Sequence, residues 1–226
     1  MNRTAYLRAK RAVDVLVAGA GLLVAAPVLA AVAVAVRRDV GSPVLFRQQR
    51  PGLGGEPFEL VKFRTMRSLG PADDVSTDAE RLTPFGRWLR STSLDELPTL
   101  WNVLRGDMSL VGPRPLLMEY LPRYTAEQAR RHEVRPGVTG LAQVRGRNAL
   151  TWAEKFAADV EYVDSLGPVM DARVLVATAV TVLRRQGISA PGVATMHLFT
   201  GTDRTAEAPA PVHDRRTPSP AEHHAA

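Results

Sequence analysis

Residues 15–36 read VLVAGAGLLVAAPVLAAVAVAV, an apolar run without one charged side chain. As a straight helix it would reach roughly 33 Å, enough to cross a hydrocarbon core. The flanks are basic on both sides, with Arg3, Arg8, Lys10 and Arg11 before it and Arg37 and Arg38 after it. Three readings compete. A secretory leader needs a basic start, an apolar middle and small residues at a cleavage site, and the AVA of Ala33–Ala35 fits the last requirement. Arg37 and Arg38 follow at once, which is poor context for export. A single spanning helix is the default for such a run. Basic residues mark the cytoplasmic side, and their presence at both ends fits a re-entrant segment that enters and leaves by one face. Pro27, just past the midpoint, removes one backbone hydrogen bond and can bend the helix there. Spanning or re-entrant, the segment is a membrane anchor.

The whole chain of 226 residues suffices for one sizeable core with appendages. Its 29 Lys+Arg against 23 Asp+Glu leave a formal charge of +6, carried mostly by arginine. Guanidinium groups suit a bidentate grip on phosphate, so the charge points to nucleic acid, anionic lipid or a phosphorylated substrate. The bland reading is a GC-rich coding sequence that favours arginine. Cysteine is absent, which excludes disulfides, thiolate nucleophiles and Cys-ligated zinc or iron–sulfur sites. Aromatic residues make up 6% and do not interleave with the arginines, so a nucleic-acid stacking platform is not expected.

Beyond the anchor, PVLFRQQ and PFELVKFRTM read as two strands joined by the glycine-rich turn PGLGG. Gly70–Asp78 reads as a polar loop, Leu94–Leu104 and Ala126–Glu133 as helices, and GVTGLAQVRGRN as loop or short strand. Trp152–Ser165 has helical spacing. Met170–Leu183 is apolar almost all round but too short to span, which fits a buried or interfacial helix. From about Thr200 large apolar residues vanish, so residues 201–226 read as a disordered tail.

The stretch Ser91–Pro115, STSLDELPTLWNVLRGDMSLVGPRP, sets Asp95 and Glu96 side by side. Ser93-x-x-Glu96 has the spacing of a capping box, and acids in a first helical turn are stabilised by the dipole, which makes both structural. The functional reading gives them separate tasks, because neighbours on a helix point about 100° apart. Asp95, kept ionised at a helix N-terminus, suits a nucleophile, and Glu96 a base or metal ligand. Their repulsion raises one pKa unless a cation lies between them, and Mg2+ takes such hard oxygens when phosphates complete its shell. Arg90, Arg114 in GPRP and Arg147 in GRN each read alone as surface groups. The prolines around Arg114 restrict its backbone, which holds a guanidinium for phosphate at little entropic cost.

Taken together, DELPTLWNVLRGDMSLVGPRPL, KFRTM upstream and RPGVTGLAQVRGRN downstream resemble the bacterial sugar transferases, the monotopic polyprenyl-phosphate phosphoglycosyltransferases. The resemblance runs from about Lys10 to Ser189. It implies an enzyme that moves a sugar-1-phosphate from a UDP-sugar to a polyprenyl phosphate such as undecaprenyl phosphate, releasing UMP and opening the assembly of a surface glycan. By the same resemblance Asp95 is the nucleophile, forming an acyl-phosphate, and Glu96 is its partner as base or in binding Mg2+. Arg90, Arg114 and Arg147 fall on phosphate-binding positions, with Lys62 and Arg64 of KFRTM as further candidates. The fold implied is α+β and mainly helical. Residues 1–200 would form the catalytic domain, with a re-entrant membrane helix over about 12–36 broken at Pro27, a small β-hairpin and interfacial helices. Both ends of the anchor would lie in the cytoplasm, at the inner face of the bacterial plasma membrane. Ala26 stands where the family often has serine, SLGPVMD replaces a more aromatic stretch, and no multi-span domain precedes the anchor, as in a minimal catalytic form. An inactive relative that scaffolds glycan enzymes is the rival reading, against which both carboxylates speak. Nothing in the sequence specifies the sugar or an oligomeric state.

Overall fold

The computed structural model describes residues 2–68, 78–146, 149–184 and 198–201. The expected polar loop lies outside these residues apart from Asp78, and so does the expected tail apart from Gly201.

Helix α1 (Arg3–Asp39) opens on Asn2, whose side chain accepts from Ala5 N, and places Arg37 and Arg38 against the negative end of its dipole. It is long and apolar enough to cross a membrane. The helix runs through Pro27 without interruption, so the expected helix–break–helix is not confirmed. Both arms beside Pro27 nevertheless pack on the rest of the chain. Before it, Ala18 joins Phe58, Val103 and Met108; after it, Val32, Val36 and Val40 join Phe63 and Leu89. Between the arms, Leu23 and Val24 are 78% and 79% exposed.

Polar contacts fix the first arm. Asp14 accepts from Ser109 Oγ at 2.7 Å and from Leu110 N at 3.1 Å. Arg11 donates to the carbonyls of Val103 and Leu104, at a helix end that leaves acceptors to be filled. Asp171 gathers Tyr6, Lys10 and Tyr162 on its two oxygens.

Strands β1 (Leu45–Pro51) and β2 (Pro57–Phe63) pair antiparallel from Leu45↔Phe63 to Pro51↔Pro57, the two strands expected on either side of the glycine-rich turn. Gly54, at φ 64°, supplies the left-handed residue their turn requires. Among the described residues no third strand covers β2; helix α4 (Thr99–Arg105) does so instead. Asn102 accepts from Val61 N at 3.1 Å and donates to Glu59 O at 2.6 Å, and Thr99 donates to Val61 O at 3.2 Å. These side chains satisfy backbone groups that an open edge would leave exposed, and they hold the strand that carries Lys62 against α4.

The expected continuous helix over Leu94–Leu104 is not present. A short α2 (Asp78–Arg81) leads to α3 (Pro84–Thr92), then a single 3₁₀ turn, Leu94–Glu96, and α4 begins only after Pro98. Pro98 has no N–H to give Leu94 and its ring crowds that carbonyl, which disfavours a helix continuous with the Leu94–Glu96 turn. The capping box is also absent, because the side chain of Ser93 caps nothing.

The remaining elements close the domain. Strands β3 (Ser109–Val111) and β4 (Gly137–Thr139) pair in parallel, with Ser109 opposite Gly137 and Val111 opposite Thr139. A Cβ on Gly137 would lie 2.1 Å from Gly112 N, so this close approach admits only glycine. Between them come a 3₁₀ turn Met118–Arg123, α5 (Ala126–Ala129) and a second turn Arg130–Glu133, in place of one helix. After β4 the stretch read as loop or short strand continues into α6 (Leu141–Arg145). Helix α7 (Trp152–Asp164) starts on a capping box of Thr151 and Glu154, and α8 (Pro168–Arg184) follows. Tyr162, Val163 and Val174 meet Val111 in the core they share, while Val169 and Val176 leave a second face of α8 open.

Candidate active site

Helix α3 is begun by Thr83, whose Oγ1 accepts from Gly86 N at 2.9 Å, with Pro84 preset for its first turn. It ends at Ser93, held at φ 57° with its N–H turned back to Leu89 O and Arg90 O. Left-handed backbone at a non-glycine residue is costly, and here it reverses the chain immediately before the two acids. The reversal sends them different ways. Asp95 turns inward, 5% exposed, and accepts no hydrogen bond among the described residues. Glu96 stays nearer solvent and is held by Arg114, whose Nη1 lies 3.3 Å from Oε2 and whose Nη2 bonds Oε1.

Burial without compensating hydrogen bonds raises the Asp95 pKa to about 6, and the Glu96 charge adds to the rise. Lys62, Arg114 and Arg90 oppose it, so Asp95 sits among three cations and one anion. This corrects the expectation that a helix dipole keeps Asp95 fully ionised: no helix starts at it, and desolvation dominates. Lys62 is pushed down to about 8, chiefly by burial, while Asp95 and Glu96 hold its charge. Glu96 raises the pKa of Arg114. Arg114 is half exposed, so the pair adds little stability and its guanidinium remains open to a ligand.

The structure thus brings Asp95, Glu96, Lys62, Arg90 and Arg114 together from β2, α3, the 3₁₀ turn and the 112–115 segment. Arg90 donates to Thr65 Oγ1 at 3.0 Å, which ties α3 to the end of the hairpin. Arg64 is not among the charges acting on Asp95 or Lys62; it donates to Ser42 O and Ser68 Oγ at the surface. Arg147 lies outside the described residues. Pro27 lies within α1, without a break.

Sequence reasoning missed the residues behind Arg114. Arg131 donates to Arg114 O at 2.7 Å, pairs with buried Asp159 and stacks over Tyr124 and Phe156. Arg50 donates to Pro115 O at 3.5 Å. No motif flagged them, since each lies in an element that reads as ordinary strand or helix.

Two adjacent carboxylates fit Mg2+ only in part, and Mg2+ bound through substrate phosphates asks for no more than that. Asp95 has both oxygens unused, whereas Glu96 shares its oxygens with Arg114. Among the described residues no group of three or more acidic or histidine side chains is placed to cage an ion.

Asp95, buried and without a hydrogen bond among the described residues, thus lies where the charges of Lys62, Arg90 and Arg114 reach it. The chain belongs to the bacterial sugar transferase family, whose pattern matches residues 5–185. It is 54% identical over 168 residues to the sugar transferase EpsL of Bacillus subtilis (strain 168), covering 74% of this chain and 83% of that one. It is 42% identical to a UDP-glucose:undecaprenyl-phosphate glucose-1-phosphate transferase of Caulobacter vibrioides, covering 81% of this chain and 73% of the relative. It is 40% identical to the exopolysaccharide production protein PSS of Rhizobium leguminosarum bv. phaseoli, over 78% of this chain and 96% of the relative.

Proposed function

We propose that this sugar transferase moves a sugar-1-phosphate from a UDP-sugar to a polyprenyl phosphate at the cytoplasmic face of the plasma membrane. The observation that carries the reading is Asp95, buried yet unbonded and surrounded by three cations. Its carboxylate oxygen attacks the phosphorus that bears the sugar, and the bond to the nucleoside phosphate breaks. UMP leaves with that bond's electrons, and an acyl-phosphate joins Asp95 to the sugar phosphate. An oxygen of the polyprenyl phosphate then attacks the same phosphorus and displaces the carboxylate, giving a polyprenyl diphosphate sugar and restoring Asp95. Lys62, Arg90 and Arg114 bind and orient phosphate oxygens, and Glu96 holds Arg114 in place. Asp95 and Glu96 would hold Mg2+ together with substrate oxygens, and the ion would supply charge neutralisation on the diphosphate.

The anchor fits a re-entrant placement. Ala18 and Val36 lie on opposite sides of Pro27 yet pack on the same domain, whereas a spanning helix carries its two ends to opposite sides of a bilayer. Trp88, Trp101, Val169 and Val176, all exposed, suit an interfacial position for α3, α4 and α8. The names of the relatives make UDP-glucose the first donor to try, with UDP-galactose beside it because a relative from Streptococcus agalactiae is named a galactosyl transferase.

The test is UMP release by purified protein in nanodiscs with Mg2+, undecaprenyl phosphate and a panel of UDP-sugars, beside Asp95→Asn. Lipid-dependent release with one donor, falling on the order of a thousandfold or more in the variant, is expected. Undiminished release by Asp95→Asn removes Asp95 as the nucleophile, and no release with any donor from folded parent protein counts against the reaction.

A further inference from the structure

Three successive carbonyls around Arg114 are each taken by a donor from elsewhere in the chain. Pro113 O accepts from Gly137 N at 3.0 Å, Arg114 O from Arg131 at 2.7 Å, and Pro115 O from Arg50 at 3.5 Å. The two arginines differ in what balances their charge. Arg131 is fully occupied: Asp159 lies 2.7 Å from Nη2 and 3.0 Å from Nε, and Nη1 donates to Tyr124 Oη.

Arg50 has no carboxylate partner among the described residues. Its Nη2 donates to the neutral Gln48 Oε1 at 2.6 Å, and its Nε is buried without a hydrogen-bond partner. The charge next to it is Arg114, another cation; this and, above all, burial push its pKa down to about 10. A largely buried guanidinium without a counter-ion, beside a like charge, is costly to hold, and an anion reaching both arginines relieves that cost. Position narrows what the anion is. Arg114 acts on Arg50, and Glu96 and Asp95 act on Arg114, so Arg114 is the charge common to Arg50 and the two acids. Arg50 reaches the carbonyl of Pro115, the residue after Arg114, whereas Glu96 engages the Arg114 guanidinium itself.

We propose that Arg50 is a second phosphate-binding residue, acting with Arg114 on a substrate phosphate beyond the one that Asp95 attacks. This rests on the reading of Asp95 given above. In a nucleoside diphosphate sugar the phosphate in that place is the nucleoside phosphate, which gains negative charge as its bond to the sugar phosphate breaks. A prenyl phosphate offers the same oxygens to the same guanidinium.

Binding without turnover separates these sources. UMP and a short-chain prenyl phosphate are titrated calorimetrically into the full chain in nanodiscs, as parent, Arg50→Gln, Arg50→Lys and, as a control on the same strand, Arg47→Gln. Melting temperature without ligand is measured for each. Arg50→Gln is expected to weaken UMP about tenfold or more, the scale of a charged hydrogen bond. Arg50→Lys keeps the charge but loses the fork, so it falls between. The unliganded melting temperature of Arg50→Gln stays near that of the parent, and Arg47→Gln binds as the parent does. Weakening confined to the prenyl phosphate supports the site and assigns it to the lipid. Parental affinity for both ligands in folded Arg50→Gln and Arg50→Lys overturns it, as does a parent that binds neither. A parent that binds UMP but releases none from any UDP-sugar counts against the proposed reaction and leaves the Arg50 site standing.

Discussion

Arg114 engages both oxygens of Glu96 across 18 residues of sequence, while Asp95, the residue next to Glu96, is left buried and unbonded. One acid is held by an arginine and the other accepts no hydrogen bond among the described residues, although nothing in the pair of letters distinguishes them.

This asymmetry fixes a pH signature. In the proposed reaction attack requires ionised Asp95, so kcat/KM for UMP release should fall on the acid side with a midpoint near the pKa of about 6. Glu96→Gln removes a negative neighbour and frees Arg114, both of which favour ionisation, so the limb moves to lower pH. Lys62→Met removes a positive neighbour and moves it to higher pH. Profiles of the three proteins decide this; shifts of both variants in the same direction contradict the arrangement.

Asp95 should also cost stability. Its folded pKa lies above the unfolded value of 3.8, so folding favours the protonated form. Its contribution is fully present below about pH 4 and is lost as pH rises through about 6, leaving a cost on the order of 2–3 kcal/mol at neutral pH. Asp95→Asn should therefore melt above the parent at pH 7.5, with the gain shrinking toward pH 4. Thermal unfolding of the unliganded proteins across that range checks it.

Ser93 is held left-handed by the turn that aims Asp95, at φ 57°. Ser93→Gly should be neutral or stabilising by up to about 1 kcal/mol, since glycine reaches this conformation freely. Ser93→Val should lose about 1–2 kcal/mol or more, because a β-branched residue tolerates it least. Equal melting temperatures for the two variants would sink the argument.

Asp171 ties the first arm of α1 to α7 through Tyr6, Lys10 and Tyr162, with little solvent around the Lys10 pair. Asp171→Ala leaves a buried ammonium without a partner and should cost about 3–5 kcal/mol. Asp171→Asn keeps acceptors for the hydroxyls and should fall between Ala and parent. If apolar contacts alone hold this arm, chemical denaturation will show all three unfolding together.

Much of this protein is legible along the chain. The apolar run 15–36 with its arginine flanks makes an anchor, the glycine-rich PGLGG between two strand-like segments places β1 and β2, and the spacing of Trp152, Phe156 and Val160 makes α7. Composition and local period suffice for these because each depends on neighbours a few residues away. The acids and arginines of the site were likewise marked by motif. Their tasks depended on tertiary structure. Pro98 and the left-handed Ser93 replaced an expected helix start with a 3₁₀ turn, so desolvation rather than a helix dipole governs Asp95. Arg114 chose Glu96, Arg131 chose Asp159, and Arg50 was left without an acid, while Arg64 turned to the surface. Such pairings join segments far apart in sequence, and burial sets their energies; neither periodicity nor propensity encodes which charge meets which.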